Sequence, residues 1–556
     1  MEDTDVRNKE KRKVSLVSSF RSNDGVVTCW DEMKVQLNFA WPVSLTTLCR
    51  IFVFTTDAAF VGHIGTDELA AANLCGTIFD AVATFGFSFS MSLTTLCSQA
   101  YGARSYKLVG AYYQIALVAI TALSCVMIPM LMFLTGPILR SVGITDAVVH
   151  RANEFSLIYA GRFWPVIVFQ ASRAYLNSQK VIRPALYVSV SCTALNVALN
   201  YVLIYGIPSL GTAFYGMGFR GAPLASLVTS TMQVLLLWLY MYASGCHKKT
   251  WQPWNRQIFK KKHLKRYLLM AWGTFGGLAA DSWVLTAVSL LAGMLGAVPV
   301  ATQGILYNVW GLCWGIYFGL ATAAQTRVSQ HLGAGTPLYA RRAVLVALLL
   351  TLALCIVLSS LYVFLCRLIS QLYTTDPYVL NLVHSLRWLM VTCFTLALLS
   401  QTILLVLDAC ARPSISAMIA FLSSICVQLP VSYVMAFHYD LHLKGLWWGA
   451  FASEAMRLVA AAIFVTMIDW DAESQRARLA SEESVLLVRE VNNDDTPDTA
   501  PQVTVQRKSL VTVQSPHSSA DDVSPSGPLP SLPEFPPPAE QEKHTPKPCF
   551  ITLHNS

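Results

Sequence analysis

Two carboxylates sit in stretches of sequence with almost no other charge. Asp57 falls in FVFTTDAAFVG, and Asp281 follows GGLAA in an equally apolar run. An ionisable side chain in such surroundings is costly and needs a role or a partner. Burial disfavours the charged form of a carboxylic acid, so such a group can take up a proton near working pH; with less desolvation it can hold a small cation. Asn196 and Asn200 stand four residues apart. On a helix their amides share a face and can converge on one oxygen-lined spot with Asp57. The bland alternative for Asp57 is a hydrogen bond that packs helices. The small residues before Asp281 leave room for water or solute beside the chain, so its charge can attract a cationic solute or a coupling proton. The alternative there is an ion pair with Arg50.

Other polar groups are weaker candidates. Tyr307, Trp310 and Trp314 recur at helical spacing; aromatic faces hold organic cations, though such stripes also serve packing. Asp80 can face a lobe interior, and Asp408 stands near a membrane boundary. Glu454 and Arg457 are three apart and can satisfy each other. Arg173 and Arg183 flank a short turn and read as orientation charges. The 14 Cys form no CxxC pair and read as small buried apolar residues, not as a metal or disulfide framework. No glycine loop followed by Lys and Ser or Thr is present, which argues against ATP-driven pumping. Nothing in the sequence calls for an enzyme, a cofactor or a bound metal.

The elements that must position these groups are membrane helices. Hydrophobic residues make up 54% of the 556, with 13% charged and a mean hydropathy of +0.48. Leu37 to Asp469 holds 12 acidic and 26 basic side chains, too few to cover a water-facing surface. Apolar segments of membrane-crossing length lie near 37–61, 69–97, 111–135, 155–176, 185–205 and 220–243, then 267–292, 300–325, 343–365, 386–407, 414–436 and 446–468. No alternating pattern supports a β-barrel. The expected fold is an all-α polytopic membrane protein with twelve transmembrane helices in two six-helix lobes, 37–243 and 267–469.

Charge sets the expected orientation. The 244–266 connection carries eight Lys or Arg, and Arg104, Lys107, Lys180, Arg183, Arg327, Arg341 and Arg342 fall on the same side. The positive-inside rule puts that side and both termini in the cytosol. The net charge of +8 therefore reflects sorting across a bilayer and contact with anionic lipid, not nucleic acid. Residues 1–36 form a polar cytosolic tail without the apolar core of a signal peptide. Residues 470–556, rich in Ser, Pro, Asp and Glu, read as a disordered cytosolic tail. Within it EESVLL, Glu482 to Leu487, resembles an acidic dileucine signal for sorting adaptors. If it acts, the protein resides partly on lysosomal or vacuolar membranes; otherwise the plasma membrane is the simpler assignment.

The chain repeats itself. SQAYGARSYKLVGA from Ser98 matches SQHLGAGTPLYARRA from Ser329, and FVGHIG from Phe60 matches LAGMLG from Leu291, both at an offset of 231. Six spans per repeat place both halves in the membrane in the same sense, with a central cavity between them. This is transporter architecture; no channel filter run appears.

These segments resemble the multidrug and toxic compound extrusion family. The similarity is carried by VGHIG at 61–65, CSQAYGA at 97–103, Asn196, Asn200 and Tyr201, RVSQHLGAG at 327–335 and KGLWWG at 444–449. The resemblance implies two lobes in a V and export of organic, usually cationic, compounds in exchange for protons or sodium. It aligns Asp57 and Asn196 with a first-lobe ion site, puts Asn200 where relatives have an aspartate, and brings Ser226 near a family threonine. In the second lobe Asp281 replaces a family glutamate, as do Thr286, Asn308 (directly after a retained Tyr307) and Ala397.

The sequence thus points to a secondary active antiporter for organic solutes, with amphipathic cations expected. Asp57, Asn196, Asn200 and Ser226 are the candidates for coupling H+ or Na+, and Asp281, Tyr307 and Asn308 for binding solute. A lipid-linked flippase is the competing reading. It calls for a cavity lined by several arginines, whereas those inside spans read as few and near the ends. A membrane receptor or scaffold acting through its tail is a further one.

Overall fold

The computed structural model describes residues 28–141, 143–206, 216–254 and 261–493, apart from the side chains of 261, 297 and 482–493. Among these residues the regular structure is helical. The first lobe contains α1 (Cys29–Gly62), α2 (Thr66–Gly102), α3 (Tyr106–Ser141), α4 (Asp146–Tyr159), α5 (Phe163–Ser178), α6 (Arg183–Tyr205) and α7 (Gly221–Ser244). The second contains α8 (Lys261–Met294), α9 (Ala297–Gly333), α10 (Pro337–Gln371), α11 (Pro377–Ala409), α12 (Pro413–Phe421), α13 (Leu429–Tyr433) and α14 (His442–Thr466). Eleven described helices are long and apolar enough to cross a membrane. The remaining expected span, 155–176, is broken: α4 and α5 are joined by a 3₁₀ turn, Ala160–Arg162. Pro165 explains the break, because it has no N–H for the carbonyl one turn earlier.

The eleventh span is also irregular. Between α12 and α13 the chain widens into i→i+5 turns at Leu422–Gln428, and again at Val434–His438. Pro430 removes the bond that would keep the turn regular. Both irregular stretches carry polar side chains that matter below.

α1 begins at Cys29, ahead of the apolar run expected from residue 37, because Thr28 and Asp31 cap it reciprocally at 3.2 Å. The two matching sequence segments mark the two ends of one repeated helix. α2 and α9 each have 37 residues, each starts after a glycine (Gly65, Gly296), and each ends on one (Gly102, Gly333).

The first-lobe core is built on side chains such as Ile115, Ile167, Val168 and Leu176, each 1% exposed or less. α8 begins on that core, with the Tyr267 hydroxyl donating to the Phe89 carbonyl at 3.0 Å. The rims of both lobes expose large apolar residues, including Phe133, Phe364 and Leu372, a surface suited to hydrocarbon.

The expectation of a structureless tail from residue 470 is corrected. Trp470–Asn493 is a helix, α15. Its residues are good helix formers with no Gly or Pro, and Trp470, Ser474, Ala477 and Ser481 form one buried face. The Ser474 hydroxyl donates to the Leu332 carbonyl at 3.3 Å, and Arg412 pairs with Glu473. Glu482, Leu486 and Leu487 fall on the last turns of α15, and their side chains lie outside the described residues.

Candidate functional site

Asp57 lies in the last two turns of α1, five residues before its end at Gly62, and is 7% exposed. α6 brings Asn196 and Asn200 to it from one face, as their spacing requires. Asn200 donates to its Oδ1 at 2.8 Å and Asn196 to the same oxygen at 3.2 Å, while the Ser226 hydroxyl of α7 donates to Oδ2. Asn196 also reaches Thr229 at 3.5 Å. All four candidate coupling residues therefore meet at one buried point. Every donor to the carboxylate is neutral, and among the described residues no cation forms an ion pair with it. The Asn200 carbonyl oxygen is buried without a partner.

Asp281 has a different environment. Arg457, from α14, donates to its Oδ1 at 2.6 Å, and Ser424, in the widened eleventh span, donates to the same oxygen at 2.8 Å. Arg457 also reaches Glu454 at 3.4 Å, and Glu454 accepts from Ser400 at 2.9 Å. The ion pair considered for Asp281 exists, but its partner is Arg457 and not Arg50; the expected Glu454–Arg457 pair is one arm of a three-member cluster. Tyr307 packs on Trp447, and Asn308 is exposed with its amide bonded to the Gly304 carbonyl of its own helix at 2.9 Å. Asp281, Tyr307 and Asn308 do not converge.

A cavity of about 450 Å³ lies between the lobes. None of the seven candidate residues lines it. Its charged lining is Arg50, Arg162, Arg173 and Asp80, so three basic groups face one acidic group. Two expectations are corrected here. Arg173 is not a surface orientation charge: it is 7% exposed on the cavity side of α5. The arginines within spans are likewise not confined to their ends. A sequence signal existed. Arg162, Gln170, Arg173 and Asn177 follow a helical spacing that keeps them on one face of an apolar segment, and all four line the cavity. Trp314 lines it as well, whereas Trp310 packs against Phe394 and Trp447.

A smaller void of about 30 Å³, the room of one water, continues from this cavity. The same three arginines line it on one side, and Ser189, Thr229 and Ser230 on the other. Thr229 is the hydroxyl that meets Asn196. Thr229 thus stands between this void and the Asp57 cluster.

One end of the cavity is closed by the repeated helix ends. A Cβ on Gly102 would stand 2.0 Å from the Gln330 carbonyl oxygen, and one on Gly333 would stand 2.0 Å from that of Gln99. The Gln99 amide donates to the Ala409 carbonyl at 2.8 Å, and the Gln330 amide to the Ser178 carbonyl at 2.9 Å. Each contact maps onto the other by the offset of 231. Beside this seam, buried Glu32 of α1 accepts two bonds from Arg327 of α9, at 2.9 and 2.6 Å. Asp408 is held by the Ser416 hydroxyl, and its carbonyl accepts from Thr95 at 3.2 Å.

A family model, MatE, matches residues 42–202 and 275–434. The chain is 28% identical to "Protein DETOXIFICATION 16" of Arabidopsis thaliana, over 82% of this chain and 92% of that protein. It is 27% identical to "Multidrug and toxin extrusion protein 1" of Xenopus tropicalis, over 84% of this chain and 79% of that one. Among solved structures it is similar to the eukaryotic MATE transporter AtDTX14, with a TM-score of 0.75, 21% identity, and coverage of 82% of this chain and 99% of the other. The Vibrio cholerae MATE transporter VcmN in its bent form gives a TM-score of 0.67 at 15% identity, covering 82% and 98%.

Proposed function

This chain belongs to the MatE family, and on that premise we propose that it is a proton-coupled antiporter that exports organic solutes through the cavity between its lobes. It is a multi-pass membrane transporter and not an enzyme. The observation that carries the coupling proposal is Asp57, buried and met by three neutral donors with no cation paired to it. The two amides and the hydroxyl steady the carboxylate without a fixed positive charge, so the group can give and take a proton. A proton needs one free lone pair. A sodium ion needs several oxygens, and Asn196 and Asn200 direct their N–H groups, not their carbonyls, at Asp57.

The cycle follows from two states. With the α2–α9 seam closed, solute leaves on the far side while a proton reaches Asp57 from the Thr229 side. Protonation removes the acceptor charge that gathers α1, α6 and α7, so that lobe repacks and the seam opens. The charge distribution of the loops supports a cytosolic seam and cytosolic termini. The basic segment between the lobes suits contact with anionic lipid. Glu482 to Leu487 supports sorting to a lysosomal or vacuolar membrane, where a proton gradient would drive export from the cytosol. A lipid-linked flippase is a second reading, favoured by the arginines in the cavity; its test accompanies the inference below.

The deciding experiment is solute flux in proteoliposomes under an imposed pH gradient, then under a sodium gradient. Flux driven by the pH gradient and lost in Asp57→Asn is the expected result. Flux driven only by sodium would replace the proton with sodium at the same site, and flux indifferent to both gradients would end the antiport reading.

A further inference from the structure

Buried charges demand compensation, and the central cavity does not supply it. Arg162 and Arg173 are 8% and 7% exposed. Arg162 spends one bond on the Tyr159 hydroxyl, at 2.5 Å, and leaves its Nε buried without an acceptor. Among the described residues no hydrogen bond or ion pair holds Arg50 or Arg173. Their guanidinium groups lie over aromatic rings instead, Arg50 over Phe87 at 5.2 Å and Arg173 over Phe318 at 5.9 Å. Asp80, the acidic residue of the lining, is paired with none of the three. Holding Arg162 and Arg173 in a low-dielectric interior with no ion pair costs several kcal/mol each by general estimates, unless an anion completes them; Arg50 is exposed to the cavity beside them.

We infer that the central cavity binds amphipathic organic anions: a carboxylate, sulfonate or sulfate on a flat apolar body. This inference rests on the transport reading above and names its solute class. The charge ratio sets the sign, and guanidinium groups suit two-oxygen acidic groups because their N–H donors lie in a matching plane. The remaining lining sets the body. Phe54, Phe79, Phe87, Trp314 and Phe318 offer ring faces from both lobes, and the volume falls in the range of pockets for drug-sized molecules. Arg173 comes from the first lobe and Phe318 from the second, so an anion bound at Arg173 touches both halves of the rocking unit. For a cation the lining offers one carboxylate, Asp80, against three arginines, and Asp281 is engaged by Arg457 outside the lining.

The test uses the purified full-length chain in detergent with no gradient. Fluorescence anisotropy compares fluorescein, an aromatic anion at pH 7.5, with a cationic rhodamine on the same three-ring frame. The expected result is at least about tenfold tighter binding of fluorescein, and a loss of about tenfold or more in Arg50→Gln and in Arg173→Gln, the size of one charge-assisted hydrogen bond. Arg173→Lys should retain part of the affinity, and Asp80→Asn should leave it equal or tighter. Tighter binding of the rhodamine overturns the proposal. So does unchanged fluorescein binding in folded Arg→Gln variants. Should those variants not fold, competition on the unaltered protein decides between naphthalenesulfonate and naphthyltrimethylammonium: displacement of fluorescein by the cation as well as by the anion overturns the inference. If only a fluorescent phosphatidic acid binds and the soluble anions do not, the acid group is a lipid's and the soluble-solute claim fails. Because binding is measured at equilibrium, absence of gradient-driven flux would sink the antiport reading alone, and pH-driven flux with cation-selective binding would sink this one alone.

Discussion

Ser226 and Arg457 occupy equivalent positions of the two repeats, 231 residues apart, and each donates to a carboxylate of its own lobe, buried Asp57 and half-buried Asp281. The serine leaves Asp57 without a counter-charge; the arginine gives Asp281 a permanent one. The carboxylates themselves are not equivalent by that offset, since Asp57 corresponds to Val288 and Asp281 to Arg50. The first-lobe carboxylate is met by neutral donors, and the second is an ion pair that ties α8 to α14 across the widened eleventh span.

Asp57→Asn should fold and lose proton-driven exchange by at least about tenfold, since an amide cannot carry the proton. Asp57→Glu should keep more activity. The check is flux per molecule in proteoliposomes, normalised to protein recovered. Wild-type flux in the Asn variant would remove Asp57 from coupling.

Arg457→Met should lower the thermal stability of the purified protein more than Asp281→Asn does, by roughly 3 kcal/mol against a smaller loss, because it strands Asp281 and Glu454 together. The double variant Asp281→Asn with Arg457→Met should recover part of the deficit, a coupling of about 1 kcal/mol or more. Additive losses in thermal unfolding would mean that the pair contributes nothing as a pair.

Gly102→Ala and Gly333→Ala should each weaken the seam, since the new Cβ meets a backbone carbonyl that cannot rotate away. Overpacking of this kind costs about 1–3 kcal/mol. A cysteine placed at Thr94, in a background without the exposed Cys29, Cys125 and Cys426, should label faster from the seam side in both variants. Equal labelling rates would show that the seam does not close the cavity.

Changing Leu486 and Leu487 to Ala should move a tagged protein toward the cell surface with transport per molecule unchanged. The surface-to-internal ratio in cells decides it; an identical ratio removes the sorting role.

Helical spacing makes Asn196 and Asn200 readable as a pair, while their meeting with Asp57 and Ser226 is what the family resemblance implies. Asn196 and Asn200 lie on one helical face, and a buried acid in α1 needs neutral partners. Arg457 was harder, because which helix faces which is decided by packing between distant segments and not by local spacing. Asp281 accordingly pairs with Arg457 and not with Arg50, the alternative its sequence left open. Arg173 stands near a turn yet faces inward, as its spacing to Arg162, Gln170 and Asn177 indicates. The helix at Trp470–Asn493 was hidden by the composition of the residues that follow it, although its own residues carry strong helical propensity.

The reciprocal fit of Gly102 on Gln330 and of Gly333 on Gln99 has a consequence for leakage. Each glycine is the cleft that receives the other strand's carbonyl, so neither contact survives alone and the seam parts cooperatively. In the proposed antiport cycle such a clasp would disfavour half-open intermediates through which ions slip without solute. What it would then guard is stoichiometry.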